Sequence, residues 1–426
     1  MTIPRREFIG GAAALALLSD SFAAAAESVF EQHGRAADFL LCRRLYLDIC
    51  GRLPSRQETE AFVSSKKRDK VDDLVERLLR TDDFADYWSM RYCDMLRVKS
   101  EFPINLWPNA VYVYHRRIRQ SIAADEPWDH FAEALLTGLG SNFRVPEANF
   151  LRATSDKSAK GLSIVASETF LLKPSERFAQ YFSRVRWKST REWKEEIVYL
   201  DEDGSDDDTP KAFFEHLTGP LRDDFLAAPL KRVHWWVFGS LPDSRRQIEW
   251  RKAFEQGGLR LKPLLKHVFT SAAYWAGPIR GRFPSRRLDA EVLDDILRKL
   301  TGSAAEYRSI APEPFTLLPE MRKSVLIEDG SITSPFLQRF GRPSRDTGAL
   351  AERNNRITAD QRLFLFNSST LWQALKRVKG GVDDLYMSFL SRPPTKNERY
   401  LIDKNHLDSQ TLAWYLVNSR EFLYRI

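Results

Sequence analysis

The sequence predicts a mainly α-helical, multi-helical protein with three degenerate helix–turn–helix–helix repeats and at most a short β-hairpin. Three observations carry that expectation. Apolar residues recur at three- and four-residue spacing through most of the chain. Ser/Thr-x-x-Glu capping boxes follow Pro-containing turns at matching places. Strand-like patterning is sparse, the best example being Ser324 to Ile327 and Ser331 to Thr333 around Asp329-Gly330.

Residues 1–26 read as an export signal. Arg5-Arg6 precede an apolar, Ala-rich run from Phe8 to Leu18, and Ala23 to Ala26 offers A-x-A cleavage sites. The Arg-Arg-x-Phe-Ile order is that of a twin-arginine signal. The run is shorter than the ~20 apolar residues a bilayer span takes. The chain is therefore expected to be exported to the periplasm or cell surface, and not to span a membrane once the signal is removed.

The first repeat opens on the apolar run Leu45 to Ile49, which stops at Gly51. Pro54-Ser55 starts a second helix, with Ser55 and Glu58 at capping-box spacing. A helix carrying Val71, Leu74, Val75, Leu78 and Leu79 follows, and Thr81 stands at an N-cap before Phe84. The middle copy runs from His234 through Gly239-Ser240-Leu241-Pro242 to Asp243, and closes on Thr270-Ser271 before Tyr274. Arg246 replaces its capping glutamate. The last copy runs from Leu385 through Ser391-Arg392-Pro393-Pro394 to Thr395 and Glu398, and closes on Asn418-Ser419 before Phe422. A period near 40 residues lies in the range of helical repeats.

Between the repeats, helices are expected over Tyr87 to Val98, Val111 to Ile122, Trp128 to Thr137, Arg286 to Leu300 and Ala359 to Arg377. One or two more lie within 159–185, interrupted near Pro174. The acidic run Asp201 to Asp208 marks a linker at 201–210, dividing a first domain at 27–200 from a second at 211–426. As an EF-hand loop it fails, since Asp206 and Ala212 stand where Gly and Glu are needed.

The net charge is +7, from 65 basic and 58 acidic residues that are interleaved, so no single basic face points to nucleic acid. Cys42, Cys50 and Cys93 read as small buried hydrophobes; the first two sit about 12 Å apart on one helix, too far for a disulfide. The seven histidines form no H-E-x-x-H, and there is no G-x-S-x-G. His115 and His130 lie on separate helices. No catalytic set, metal site or cofactor site is expected.

Several stretches in fixed order carry a resemblance. They are Arg43 to Glu58, Trp88 to Ser100, the Gly138 to Arg152 loop, Arg286 to Val292, Phe340 to Arg345, Glu352-Arg353 and Asn418 to Phe422. Together they resemble the planctomycete cytochrome-associated pair of domains of unknown function, over essentially the whole mature chain. The resemblance implies export and, from gene neighbourhood, a companion exported sulfatase-related protein; it implies no settled activity. Many members carry covalent haem on C-x-x-C-H, and many a C-x-C-E-R after Phe-Gly-Arg-Pro. Here no cysteine follows Cys93, and the second motif reads Ala349-Leu350-Ala351-Glu352-Arg353. The resemblance is thus to a haem-less member of the pair.

Two polar constellations remain. Asp94 and Arg97 sit three apart on one helix, near the loop bearing Asn142, Arg144, Asn149 and Arg152. Arg342, Arg345, Glu352 and Arg353 surround a Gly-Pro turn. In one reading these side chains hold irregular backbone, with Asp94–Arg97 an ordinary helix ion pair. In the other they line a site for an anion or carboxylate. The expected function is a non-enzymatic binding or assembly component, acting with the companion protein or a surface polysaccharide. The alternative is a hydrolase or sulfate- or glycan-handling enzyme using an Arg-lined site.

Overall fold

The computed structural model describes residues 35–275, 286–309, 318 and 322–425. The export signal, with Arg5 and Arg6, lies outside the described residues. The fold is mainly α, with small antiparallel sheets.

The three repeats share a sequence of local devices. The first helix ends on a left-handed residue: Gly51 (φ 61°), Gly239 (φ 73°) and Ser391 (φ 58°). Ser55, Asp243 and Thr395 then cap the next helix, accepting from the N–H of Glu58, Arg246 and Glu398. The unit closes at Thr81, Ser271 and Ser419. Each hydroxyl donates to the carbonyl three residues back, at 2.7 Å in all three. Each also accepts from the N–H of Phe84, Tyr274 or Phe422. One hydroxyl thus stops one helix and starts the next, adding a second bond to a last-turn carbonyl and satisfying a first-turn amide that lacks an intrahelical partner.

Arg52 and Arg392 fork their capping glutamates in the first and third copies, Arg52–Glu58 at 2.9 Å and Arg392–Glu398 at 2.8 Å. In the middle copy Ser240 takes the arginine's place, and its carbonyl accepts from Nδ1 of His234 at 2.6 Å.

The chain folds into two compact units, each assembled from separated segments. Of the described residues, unit 1 gathers 35–74, Trp275, 286–304 and 355–425. Its helices Arg35–Cys50, Ala290–Thr301, Val382–Leu390 and Ser409–Asn418 bury Leu45, Leu293, Phe389 and Val417. Each such side chain contributes about 1.5–3 kcal/mol. Charges are buried there in pairs: Arg425 bridges Asp48 (2.8 Å) and Asp289 (2.9 Å), and Arg392 joins Glu398 to Glu421.

Unit 2 takes Val75–Tyr274 and, of the described residues beyond it, 305–309, 318 and 322–354. An aromatic core fills it, with Trp88 edge-on to Trp236 at 6.0 Å and Trp128 stacked on Phe225 at 5.9 Å. Asp201–Asp208 lies inside this unit, where Arg184 donates to the Asp201 and Ser205 carbonyls. Unit 2 holds the main sheet, in order β1 (Gly140–Ser141), β3 (Glu196–Leu200), β2 (Val185–Ser189), all antiparallel.

Four local expectations are corrected. Ser324–Leu326 is a 3-10 turn, and Thr333 bridges Arg308 instead. The Asp329-Gly330 turn is drawn off: Asp329 accepts from the Ser100 amide, and Gly330 donates to the Val98 carbonyl. The hairpin is β2–β3, where no strand was expected. The predicted helix over Ala359 to Arg377 is broken by Ser368, which ends Ala359–Asn367 and caps Ser369–Leu375. Arg286–Arg287 pairs with Tyr424–Arg425 as a ribbon, so that helix starts at Ala290.

Candidate functional site

All ten candidate side chains belong to unit 2. In the first constellation, Gly140 (φ 125°) opens β1, and a Cβ there would meet Val145 at 2.9 Å. Asn142 is fully buried and extends the ladder past β1, its amide donating to the Glu196 carbonyl and its Oδ1 accepting from the Glu196 amide. Asn149 donates to the Asn142 carbonyl at 2.7 Å and accepts from Arg152. Arg152 pairs with Glu196 at 2.7 Å. Burial lowers the Arg152 guanidinium against the opposing pull of Glu196. The loop is held by its own polar side chains.

Asp94 belongs with the second constellation. Its Oδ1 accepts from Arg345 at 2.9 Å, and its Oδ2 from two nitrogens of Arg353 at 2.9 and 2.7 Å. The expected Asp94–Arg97 pair is not made. Arg97 adopts φ 56° after the helix Asp82–Met95 and donates to the Thr347 carbonyl at 2.9 Å. Burial brings its guanidinium down to about 10, with Glu168 opposing. Arg345, 1 % exposed, also donates to the Glu328 carbonyl at 2.6 Å. Arg342 donates to the Ile332 and Asp329 carbonyls.

Glu352 accepts from the amides of Asp346, Thr347 and Gly348 and from the hydroxyls of Ser344 and Thr347. Gly348 (φ 69°) must lack a side chain, since a Cβ would meet the Met95 carbonyl oxygen at 2.5 Å. The arrangement fastens loop 328–353 to the end of a helix. Of the ten candidates Arg144 alone is exposed, its side chain at 75 %, with Glu192 at 3.6 Å and Glu195 at 3.7 Å.

His115 is buried and His130 exposed. Burial, then the charges of Arg345, Arg322 and Arg119, bring His115 down to about 3, so it is neutral. Burial raises the Cys93 thiol to about 12, which leaves it an unreactive hydrophobe. Among the described residues no three His, Cys, Asp or Glu side chains are placed to hold a metal ion, and no helix is long and apolar enough to cross a membrane.

An open surface lies on the β2–β3 hairpin. Cross-strand pairing sets Lys188 opposite Ile197 and Arg186 opposite Tyr199, all four exposed. At the tip, Trp193 is 62 % exposed and stands edge-to-face with Trp107, centroids 4.4 Å apart. The Lys194 ammonium lies 5.6 Å from the Trp107 ring and 5.8 Å from the Trp193 ring. Sequence reasoning missed this element. Its signal was the alternation Val185-Arg186-Trp187-Lys188 and Ile197-Val198-Tyr199.

A family model described as PSCyt2, protein of unknown function (DUF1549), matches residues 21–185. A second, PSD1, protein of unknown function (DUF1553), matches residues 239–405. No curated protein and no solved structure matches the chain.

Proposed function

This chain belongs to the proteins that carry a PSCyt2 and a PSD1 domain in tandem, and on that premise we propose that it is a non-enzymatic binding or assembly component. It acts after export, in the periplasm or at the cell surface, with a companion sulfatase-related protein or a surface polysaccharide. One observation carries this reading: the β2–β3 hairpin turns an exposed aromatic ring and exposed cations outward from a sheet fixed by Asn142, Asn149 and Arg152. Rigid aromatic and cationic side chains favour recognition because little freedom is lost on binding. The Arg342–Arg353 turn supports the hairpin's unit and does not itself contact the ligand.

The test is capture from the exported fraction by the immobilised mature chain. Wild type retains the companion protein or a polysaccharide, and Trp193→Ala loses it at an unchanged melting temperature. Equal capture by both chains moves binding off the hairpin, and no capture by either contradicts the reading. Export through Arg5-Arg6 is tested separately, since Arg5→Lys with Arg6→Lys blocks a twin-arginine route.

A further inference from the structure

We propose that the tip of the β2–β3 hairpin binds an acidic polysaccharide, one bearing carboxylate or sulfate-ester groups; this rests on the binding reading and names its ligand class. Three independent features meet there. The first is the ring pair. Trp193 is held against Trp107 yet remains 62 % exposed. A fixed indole offers a flat apolar surface of the size of a pyranose ring, against which the C–H face of a sugar packs. Apolar area of this kind, left open and rimmed by polar groups, marks a contact surface.

The second is backbone strain. Trp107 (φ 72°) and Lys194 (φ 62°) both occupy the left-handed half of conformational space, which costs energy for any residue but glycine. The two outliers converge on one spot, the Lys194 ammonium lying over both rings. Strain that is retained at two neighbours aims their side chains.

The third is charge. Lys188, Arg191 and Lys194 are exposed and make no ion pair among the described residues. The acids beside them have cations of their own: Glu196 has Arg152 and Lys157, and Glu192 and Glu195 face Arg144. The tip is thus locally cationic. A carboxylate or sulfate group on a sugar stacked against Trp193 meets the Lys194 ammonium, 5.8 Å from the ring centroid, which forms strong charge-assisted hydrogen bonds. Weak single sites of this type gain strength along a repeating polymer. A single-stranded nucleic acid would need a track of cations and successive stacking rings, whereas at this tip one ammonium, that of Lys194, lies over the one open indole, Trp193.

The test is affinity electrophoresis of the full mature chain in gels containing polygalacturonate, dextran sulfate, neutral dextran or a single-stranded oligonucleotide. Polygalacturonate or dextran sulfate retards the wild type, whichever does so identifying the acidic group, and added salt weakens the effect. Neutral dextran and the oligonucleotide leave it unretarded. Trp193→Ala weakens retention about tenfold, the loss of one stacked ring, while Trp193→Phe retains most of it. Lys194→Ala weakens it a few-fold and flattens the salt dependence. Each variant is checked to melt as wild type does. Equal retention by neutral dextran, tighter retention by the oligonucleotide, or unchanged retention of folded Trp193→Ala overturns the proposal. Capture of the companion protein from the exported fraction without retention by either acidic glycan also overturns it, while leaving the binding reading in place.

Discussion

Two cation-rich regions of unit 2 differ in what their charges face. In the Arg342–Arg353 turn the guanidinium groups point inward: Arg345 and Arg353 converge on Asp94, and Arg342 on backbone carbonyls. On the β2–β3 hairpin, Lys188, Arg191 and Lys194 point to solvent. A buried arginine whose donors are filled by the protein acts as a fastener. An exposed cation beside an open ring is available to a ligand. Burial therefore assigns the role, and residue type does not.

The largest expected effect breaks the fastener. Arg345→Ala leaves the half-buried Asp94 with one partner and the Glu328 carbonyl without its donor, so it destabilises the fold by about 3 kcal/mol. Denaturant unfolding measures it, and ligand capture by the surviving folded fraction is unchanged. Glu352→Ala strips the acceptor from three loop amides and costs about 2 kcal/mol by the same measurement.

His115, buried in the same unit, adds a pH-dependent contribution. His115 titrates at about 3 in the folded chain, because burial and then Arg345, Arg322 and Arg119 disfavour its charged form. Its ordinary value is 6.5. Between those values the unfolded chain binds the proton and the folded chain does not, so this contribution falls as the pH falls below 6.5. From pH 7 to pH 5 the loss is on the order of 2 kcal/mol, and His115→Gln removes that part of the slope. Ligand capture by the hairpin is flat over the same range. The smallest effect is that of Arg144→Glu, an exposed side chain at 3.6–3.7 Å from its partners. It shifts stability by less than about 0.5 kcal/mol, read from the thermal melt.

The repeats were legible because their devices are local. A cap and its glutamate lie three residues apart, so Ser55–Glu58 and Thr395–Glu398 are visible in a linear reading. Even the degenerate middle copy keeps its left-handed Gly239 and its closing Ser271. The partners of Asp94 were not legible, since they lie 251 and 259 residues away. Nothing near Asp94 in sequence distinguishes that pairing from one with Arg97, three residues on. The hairpin was passed over for a different reason. Its strands are five residues each, and the charged loop from Thr190 to Glu195 lacks an Asn-Gly or Asp-Gly signal. The helix break at Ser368 was missed because a serine in an apolar-periodic run reads equally as surface and as cap.

Hydrogen–deuterium exchange on the mature chain, alone and loaded with the exported material it captures, tests most directly the claim that recognition belongs to the hairpin and fastening to the arginine turn. New protection is expected over residues 185–200 and around Trp107, with 342–353 already protected and unchanged. New protection over 342–353 with the hairpin unaffected would contradict the account.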